Sequence, residues 1–540
     1  MTNLIVLGFN SIELFLLFRN IKTIMQENNT ISPSIWASNS KQNIQSIPFE
    51  SFLNEFKTTI KRLFREENDI NQLSIKRGIT PDMLGQIMNC NPLSLSIPVE
   101  FGGRGGTVAE NMQMLSAASY ESMALSLTLG INSALFMQPV AKYGQLDAKK
   151  EVFERFLNAQ NMGGLMITEP GYGSDALNMQ TSFVEEKDHY HLRGTKHWAG
   201  LTGQADYWLL TARKLADNGN LQRDIDFFIC DNTAHNQKIV VDEYFENLGL
   251  YQIPYGRNLL DVKIPKTQKL IPHSTGVKMM LDLLHRSRMH FPGMGLGFVK
   301  RMLDEAIAHC QQRLVGGKSL FAYDQVQQRL ARLQADFTIC SALSMKGSEM
   351  ADIKNDLTAL GLEANIIKTV TTDLMQESAQ SLLTLVGAIG YKLNHIAGRG
   401  TVDTRPFQIF EGSNDILYNQ ISESLIKLMK TAKETNLYRF LSQFNLTEMA
   451  AEHLKKLLSF DVDIQIAQRK SVELGKLMSR IVSMDLVIKL GNSGFRSDLI
   501  DGAISMLKQE ISNLINDYSF VQQTLVVDNY EEGGAWNKFI

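Results

Sequence analysis

One carboxylate in this chain sits where apolar residues run directly into a tight turn. Phe407-Gln408-Ile409-Phe410-Glu411-Gly412-Ser413-Asn414 carries Glu411 out of an aromatic and aliphatic stretch into Gly-Ser-Asn, where a helix is expected to begin. Apolar surroundings disfavour the ionised form, which would tune such a side chain into a proton acceptor near neutral pH. Taken alone, Glu-Gly-Ser also spells a surface glutamate beside a helix cap. Two distant segments change that balance. Met166-Ile167-Thr168-Glu169-Pro170-Gly171-Tyr172-Gly173-Ser174-Asp175 reads as a rigid loop whose backbone donors and hydroxyls can face a ligand. Gly194-Thr195-Lys196-His197-Trp198-Ala199-Gly200 adds an indole able to cover a flat cofactor, although such a ring also serves as ordinary core.

The elements that must hold these residues are legible as changes of period. The chain has 540 residues, 44% hydrophobic and 21% charged, an ordinary globular composition long enough for about three domains. Residues 1–48 read as an N-terminal arm and linker, and residues 49–163 as a helical domain with apolar positions three and four apart. Residues 164–273 shorten to β-rich runs split by Gly, Asp and Asn turns, which predicts an antiparallel barrel or sandwich. Helical spacing returns over residues 274–430, a bundle, and continues through an extension at 431–540. The fold class is therefore mostly α with an inserted β-domain.

Several functions are excluded or disfavoured. A net charge of -3 with no basic stripe leaves no nucleic-acid footprint. Cys90, Cys230, Cys310 and Cys340 form no CxxC pair, which fits reduced thiols in a cytosol-like compartment and argues against a metal centre. The glycines of Gly102-Gly103-Arg104-Gly105-Gly106 lack the Lys-Ser/Thr of a phosphate loop. Gly293, Gly295 and Gly297 follow no strand, so they signal close helix packing rather than a dinucleotide fingerprint. Leu4 to Phe18 is apolar but interrupted by Asn10, Ser11 and Glu13, with no basic residue before it. It reads as an amphipathic or loosely docked arm, with a membrane-surface role as the alternative.

The order helical domain, Thr-Glu-Pro-Gly-x-Gly-Ser-Asp loop, β-domain, helical domain and Phe-Glu-Gly-Ser turn resembles the acyl-CoA dehydrogenase family over about residues 50 to 430. The resemblance implies a C-terminal four-helix bundle and an FAD enzyme that desaturates acyl thioesters to trans-2-enoyl products. Glu411 would remove the α proton while a hydride leaves the β carbon for flavin N5. A backbone N–H of that glutamate and a flavin hydroxyl would hold the developing enolate. It further implies that Ile167, Thr168, Trp198, Gly200, Arg313, Gly387, Ala388 and Ser413 serve the cofactor, Arg313 in a neighbouring subunit. Ser174, Arg288 and Gly412 would serve the substrate. Some relatives carry the base at the position of Ser287, and a serine there leaves Glu411 as the candidate.

The departures from the family are specific. Gly200 replaces a Ser or Thr that bonds the flavin, which is expected to open space above the ring, as in acyl-CoA oxidases; Thr202 could restore the hydroxyl only if the loop shifts. Ala388, Thr384 and Val402 also depart from cofactor-holding residues. The expected partners are an electron-transfer flavoprotein and further copies of the chain, as a homodimer or homotetramer. The expected location is cytoplasmic, with attachment at the inner face of a membrane as the alternative. An oxidase and a non-catalytic binding or assembly protein are the rival readings. The extension resembles in placement that of family members acting on very long chains at membranes.

Overall fold

The computed structural model describes residues 44–73, 78–463, 465–520 and 525–531. The apolar stretch at 4–18 and nearly all of the tail from Glu531 lie outside the described residues.

The N-terminal helices include α1 (Phe49–Lys61), α2 (Val108–Glu121) and α3 (Met123–Gly130). Helix α3 runs through a π-helical turn, Ile131–Met137, into α4 (Gln138–Tyr143), and α5 (Leu146–Ala159) follows. A capping box starts α2: Thr107 accepts from Glu110 N–H, and the Glu110 carboxylate accepts from Thr107 N–H. The stretch Met123–Tyr143 has the length and composition of a membrane span, with a mean hydropathy of 1.3, but it is 94% buried inside the protein. A helix apolar on all sides is a core helix when others surround it.

Seven strands follow: β1 (Gly163–Met166), β2 (Ser182–Glu185), β3 (His189–His197), β4 (Tyr207–Lys214), β5 (Asp226–Asp231), β6 (Val240–Tyr244) and β7 (Gly256–Pro265). They form one sheet in the order β1-β4-β2-β3-β7-β6, with β5 also on β4. The sheet corrects the antiparallel expectation, because β4 runs parallel to both β1 and β2. Parallel neighbours need a long crossover, and the chain from β1 to β4 supplies it by making the hairpin β2–β3 on the way. Strand β4 is buried along most of its length, as a central strand covered on both faces must be.

Helix α6 (Gly276–Gln312) is the axis of the molecule, packed against α2, α7 (Asp324–Met350) and α8 (Gly361–Val386). Its glycines are the contact points. A Cβ at Gly293 would lie 2.9 Å from Met112 Cα, and one at Gly297 would lie 1.9 Å from Ser116 O. Helix α9 (Ile396–Thr404) and α10 (Asn414–Ala432) complete the bundle. The extension adds α11 (Glu448–Leu458), α12 (Gln468–Asn492) and α13 (Ser497–Ser519). Helix α12 lies on α7, α8 and α10, and α13 on α7 and α12. A Cβ at Gly475 would meet Tyr418 O at 1.9 Å, so the extension seats on the bundle at backbone distance.

Candidate active site

Glu411 lies in the turn between the 3-10 segment Arg405–Gln408 and α10. Its φ is 53° and that of Gly412 is 93°, so two successive residues are left-handed. A non-glycine residue in that region is strained and persists only where its surroundings hold it. Two buried cations do so. Arg288 donates through Nε (3.1 Å) and Nη2 (2.6 Å) to the Glu411 carbonyl, and through Nη1 to Asn365 Oδ1 (2.6 Å). Lys368 Nζ donates to the Gly412 carbonyl and to Asn414 Oδ1, both at 2.8 Å. Burial, with the nearby Arg288, brings the Lys368 ammonium down to about 7, against the pull of Glu411 and Asp373.

The carboxylate is treated differently from its own backbone. Ser287 Oγ donates to Glu411 Oε1 at 2.8 Å, while Oε2 is buried and has no hydrogen-bond partner. Burial pushes the Glu411 carboxyl above its ordinary value, outweighing Arg288, Ser287 and Lys368. The rings of Phe291, Phe407 and Phe410 pack tilted or edge-on, with centroids 4.9 to 6.0 Å apart, and make that side apolar. Glu411 faces a small cavity lined otherwise by the Leu127–Leu135 segment and by Ser287, His290, Phe291 and Met294 of α6. His290 Nδ1 bonds Arg286 O at 2.8 Å, and burial lowers the ring to about 4, so it is neutral.

The β-domain reaches the same cavity wall. His197 N–H donates to Thr168 O at 2.8 Å, which ties the loop after β1 to the end of β3, and Trp198 N–H donates to Gly256 O at 3.0 Å, at the start of β7. Beneath them Lys196 is wholly buried, donating to Glu169 Oε1 (2.9 Å), Ile167 O (3.0 Å) and Thr211 Oγ1 (2.9 Å). Burial brings Lys196 down to about 8. Burial alone would raise Glu169, but Lys196 and the N–H groups of Gln180 and Thr181 hold it below its usual range. Trp198 is 52% exposed at φ 58°, with its inner side against Phe245.

Gly200 contradicts the expected extra room. A Cβ there would lie 2.9 Å from Ile131 Cδ1, so the space is filled by the wall that also faces Glu411. Thr202 does not replace the missing hydroxyl, since its Oγ donates inward to Ala199 O at 2.7 Å. Asp282, less than two turns before Ser287 on α6, is buried beneath Lys142, Tyr143 and Arg286 and so is committed to a structural ion-pair cluster.

The structure therefore brings Ser287, Arg288, Glu411 and Gly412 together and sets Gly200 against Ile131 of the same cavity wall, while Ile167 and Thr168 are tied to the Lys196–Trp198 end of β3. Ser413 caps α10 through its carbonyl, which accepts from Leu417 N–H at 3.0 Å. Ser174, Arg313, Gly387 and Ala388 are exposed, and none lines the cavity beside Glu411. Gly387 has φ 67° and nothing within 4 Å of where a Cβ would stand, so its backbone is open to close approach. Lys368, Asn365 and Lys196 were missed by sequence reasoning. Their signal was a lone lysine inside an apolar helix run and one at an inward-facing strand position.

These residues fit a flat cofactor with polar appendages: a half-exposed indole, an open glycine and a loop anchored by a buried ion pair. Matches to known families agree. The acyl-CoA dehydrogenase N-terminal, middle and C-terminal domains match residues 53–160, 164–261 and 274–426. The very long-chain specific acyl-CoA dehydrogenase of Mus musculus is 23% identical over 372 residues, 68% of this chain. The match spans only 56% of the length of that relative. Glutaryl-CoA dehydrogenase of Desulfococcus multivorans is 27% identical over 59% of this chain and 82% of its own. The structure of an acyl-CoA dehydrogenase complexed with FAD from Bacillus anthracis superposes with a TM-score of 0.70 at 16% identity, covering 89% of this chain and 90% of that one. Butyryl-CoA dehydrogenase of Megasphaera elsdenii gives 0.62 at 20% identity, covering 72% and 100%.

Proposed function

This chain belongs to the acyl-CoA dehydrogenase family, and we propose that it is an FAD-dependent enzyme removing hydrogen from the α and β carbons of an acyl thioester. The observation that carries the reading is the unpartnered, buried Oε2 of Glu411 facing an apolar cavity. An α proton of a thioester is weakly acidic, so its acceptor must be desolvated and already placed. Ser287 fixes one carboxylate oxygen, Arg288 and Lys368 fix the backbone on either side, and Oε2 is left to take the proton. Among the described residues no acceptor takes the Glu411 N–H, which is free to meet the thioester oxygen as negative charge develops there.

Ile167, Thr168, Trp198, Gly200 and Ser413 would hold FAD, which when bound supplies the acceptor for the β hydride. Arg313, Gly387 and Ala388 would complete the site between copies in a homodimer or homotetramer, supported by exposed Ile389, Tyr391 and Leu314 nearby. Ser174, at the surface, would meet the carrier arm of the thioester. The electrons then pass to an electron-transfer flavoprotein. The crowding of Gly200 by Ile131 weighs against the oxidase reading, because a route for oxygen past the ring needs the room that Ile131 fills. The enzyme works in the cytoplasm.

The test is Glu411→Gln, which keeps the shape and removes the base. It is expected to retain yellow flavin and thioester binding while anaerobic bleaching slows by roughly 10²–10⁴-fold. Bleaching at the wild-type rate would exclude Glu411 as the base. A protein that takes up no FAD would point to the non-catalytic reading.

A further inference from the structure

The cavity beside Glu411 is short, and one side chain ends it. Helix α6 presents Ser287, His290, Phe291 and Met294 to the cavity, a single face at spacings of three, four and seven. Ser287 marks the reactive end through its bond to Glu411. Met294 lies two turns further on, about 10 Å along the axis. The opposite wall is the apolar segment containing Gly130. A Cβ at Gly130 would lie 3.6 Å from Met294 Sδ and 3.7 Å from its Cε, so the thioether reaches across the cavity to the facing helix. Leu115 Cδ2 stands behind, 3.9 Å from the same point. The space as it stands is small, about 10 Å³ open to the centre of a water-sized sphere, room for roughly one water, so a chain entering it must displace the side chains that close it.

We propose that this site takes short acyl chains and that Met294, laid across Gly130, sets the limit. The inference rests on the dehydrogenase reading but adds what that reading leaves open, the substrate class. It also separates this chain from its very long-chain relatives, despite their similarity in sequence. Close-packed walls discriminate by volume, and each extra methylene must displace an atom already there. Methionine is the most adaptable residue for such a stop, since its unbranched thioether can be trimmed without a polar group to satisfy.

The flavin-loaded full chain is titrated calorimetrically with an acyl-CoA series from butyryl to palmitoyl, and anaerobic bleaching is followed for each. The wild type is expected to favour the short end on the order of tenfold or more in both readouts. Met294→Ala moves the optimum to longer chains. Gly130→Ala moves it shorter; its backbone is helical (φ −63°, ψ −42°) and the added Cβ makes only ordinary contacts, so the fold tolerates it. Palmitoyl preferred by the wild type, or an optimum unmoved by both variants, overturns the proposal. Binding that follows chain length as described without bleaching supports the cavity assignment and overturns the dehydrogenase reading instead.

Discussion

The turn that carries Glu411 and the seam where the extension meets the bundle both bury charge, yet they use their cations in opposite ways. At the seam every carboxylate has an arginine. Arg480 of α12 pairs with Glu510 of α13 at 2.7 Å and approaches Glu377 and Asp373 of α8. Arg332 of α7 reaches Asp336, Glu377 and Glu510. At the turn, Arg288 and Lys368 bond backbone carbonyls and leave the Glu411 carboxylate without an ion pair. Asn414 stands between, donating to Asp373 Oδ1 at 2.7 Å and accepting from Lys368. Paired buried ions tie helices together. An unpaired carboxylate whose backbone alone is clamped is held in place at raised proton affinity, which is a condition for catalysis rather than for cohesion.

The largest effect that would break this contrast is at the seam. Arg480→Met leaves Glu510 and Glu377 sharing Arg332 alone and is expected to lower unfolding stability by up to about 3–5 kcal/mol, read from denaturant midpoints. It should leave the acid limb of the pH–rate profile where it was. A loss under ~1 kcal/mol would rank the seam with exposed ion pairs.

Lys368→Met should do the reverse. It leaves the Gly412 carbonyl without its donor, at about 1–3 kcal/mol, and turnover should fall further than the loss of folded protein explains. Equal losses in thermal stability and turnover would make Lys368 a purely structural group.

The pH dependence sharpens the comparison. As the proposed base Glu411 must be ionised to act, and burial raises its folded value above 4.5, so kcat/KM should decline on acidification at a pH above 4.5. The same shift has a sign for stability. The native state takes the proton first, so the Glu411 contribution is full below 4.5 and is lost as pH rises through the folded value. Glu411→Gln, uncharged throughout, should therefore match or exceed the wild type in stability at neutral pH, while a less stable variant would assign the ionised carboxylate a structural partner.

The smallest expected effect belongs to Ser287→Ala. Its hydroxyl stabilises the carboxylate, so its removal should move the acid limb to higher pH by up to about one unit, the equivalent of one hydrogen bond. A limb that stays or moves to lower pH would show that the Ser287 bond does not favour ionised Glu411.

Much of this was legible beforehand because it is local. The apolar run into Gly412, the loop around Thr168 and Trp198, and the helix–strand–helix order all follow from spacings of a few residues. The clamp on the turn was not legible. Arg288 reaches the Glu411 carbonyl across 123 residues of sequence, and the atom it bonds is backbone, which leaves no mark in residue type. The mixed sheet escaped notice because period two marks a strand but not the direction of its neighbour. Gly200 misled for a related reason: a missing side chain indicates space only if nothing else moves in, and Ile131, 69 positions earlier, already had.

From the amino-acid order alone came the family resemblance, the division into helical and β parts, and the carboxylate that the resemblance puts forward as the base. Tertiary structure alone decided that Oε2 stays unpartnered, that two cations are spent on carbonyls, and that Met294 lies across Gly130. The reason is range. Periodicity and turn preference are properties of neighbouring residues, whereas desolvation and the choice of hydrogen-bond partner depend on which distant atoms arrive first at the same small volume.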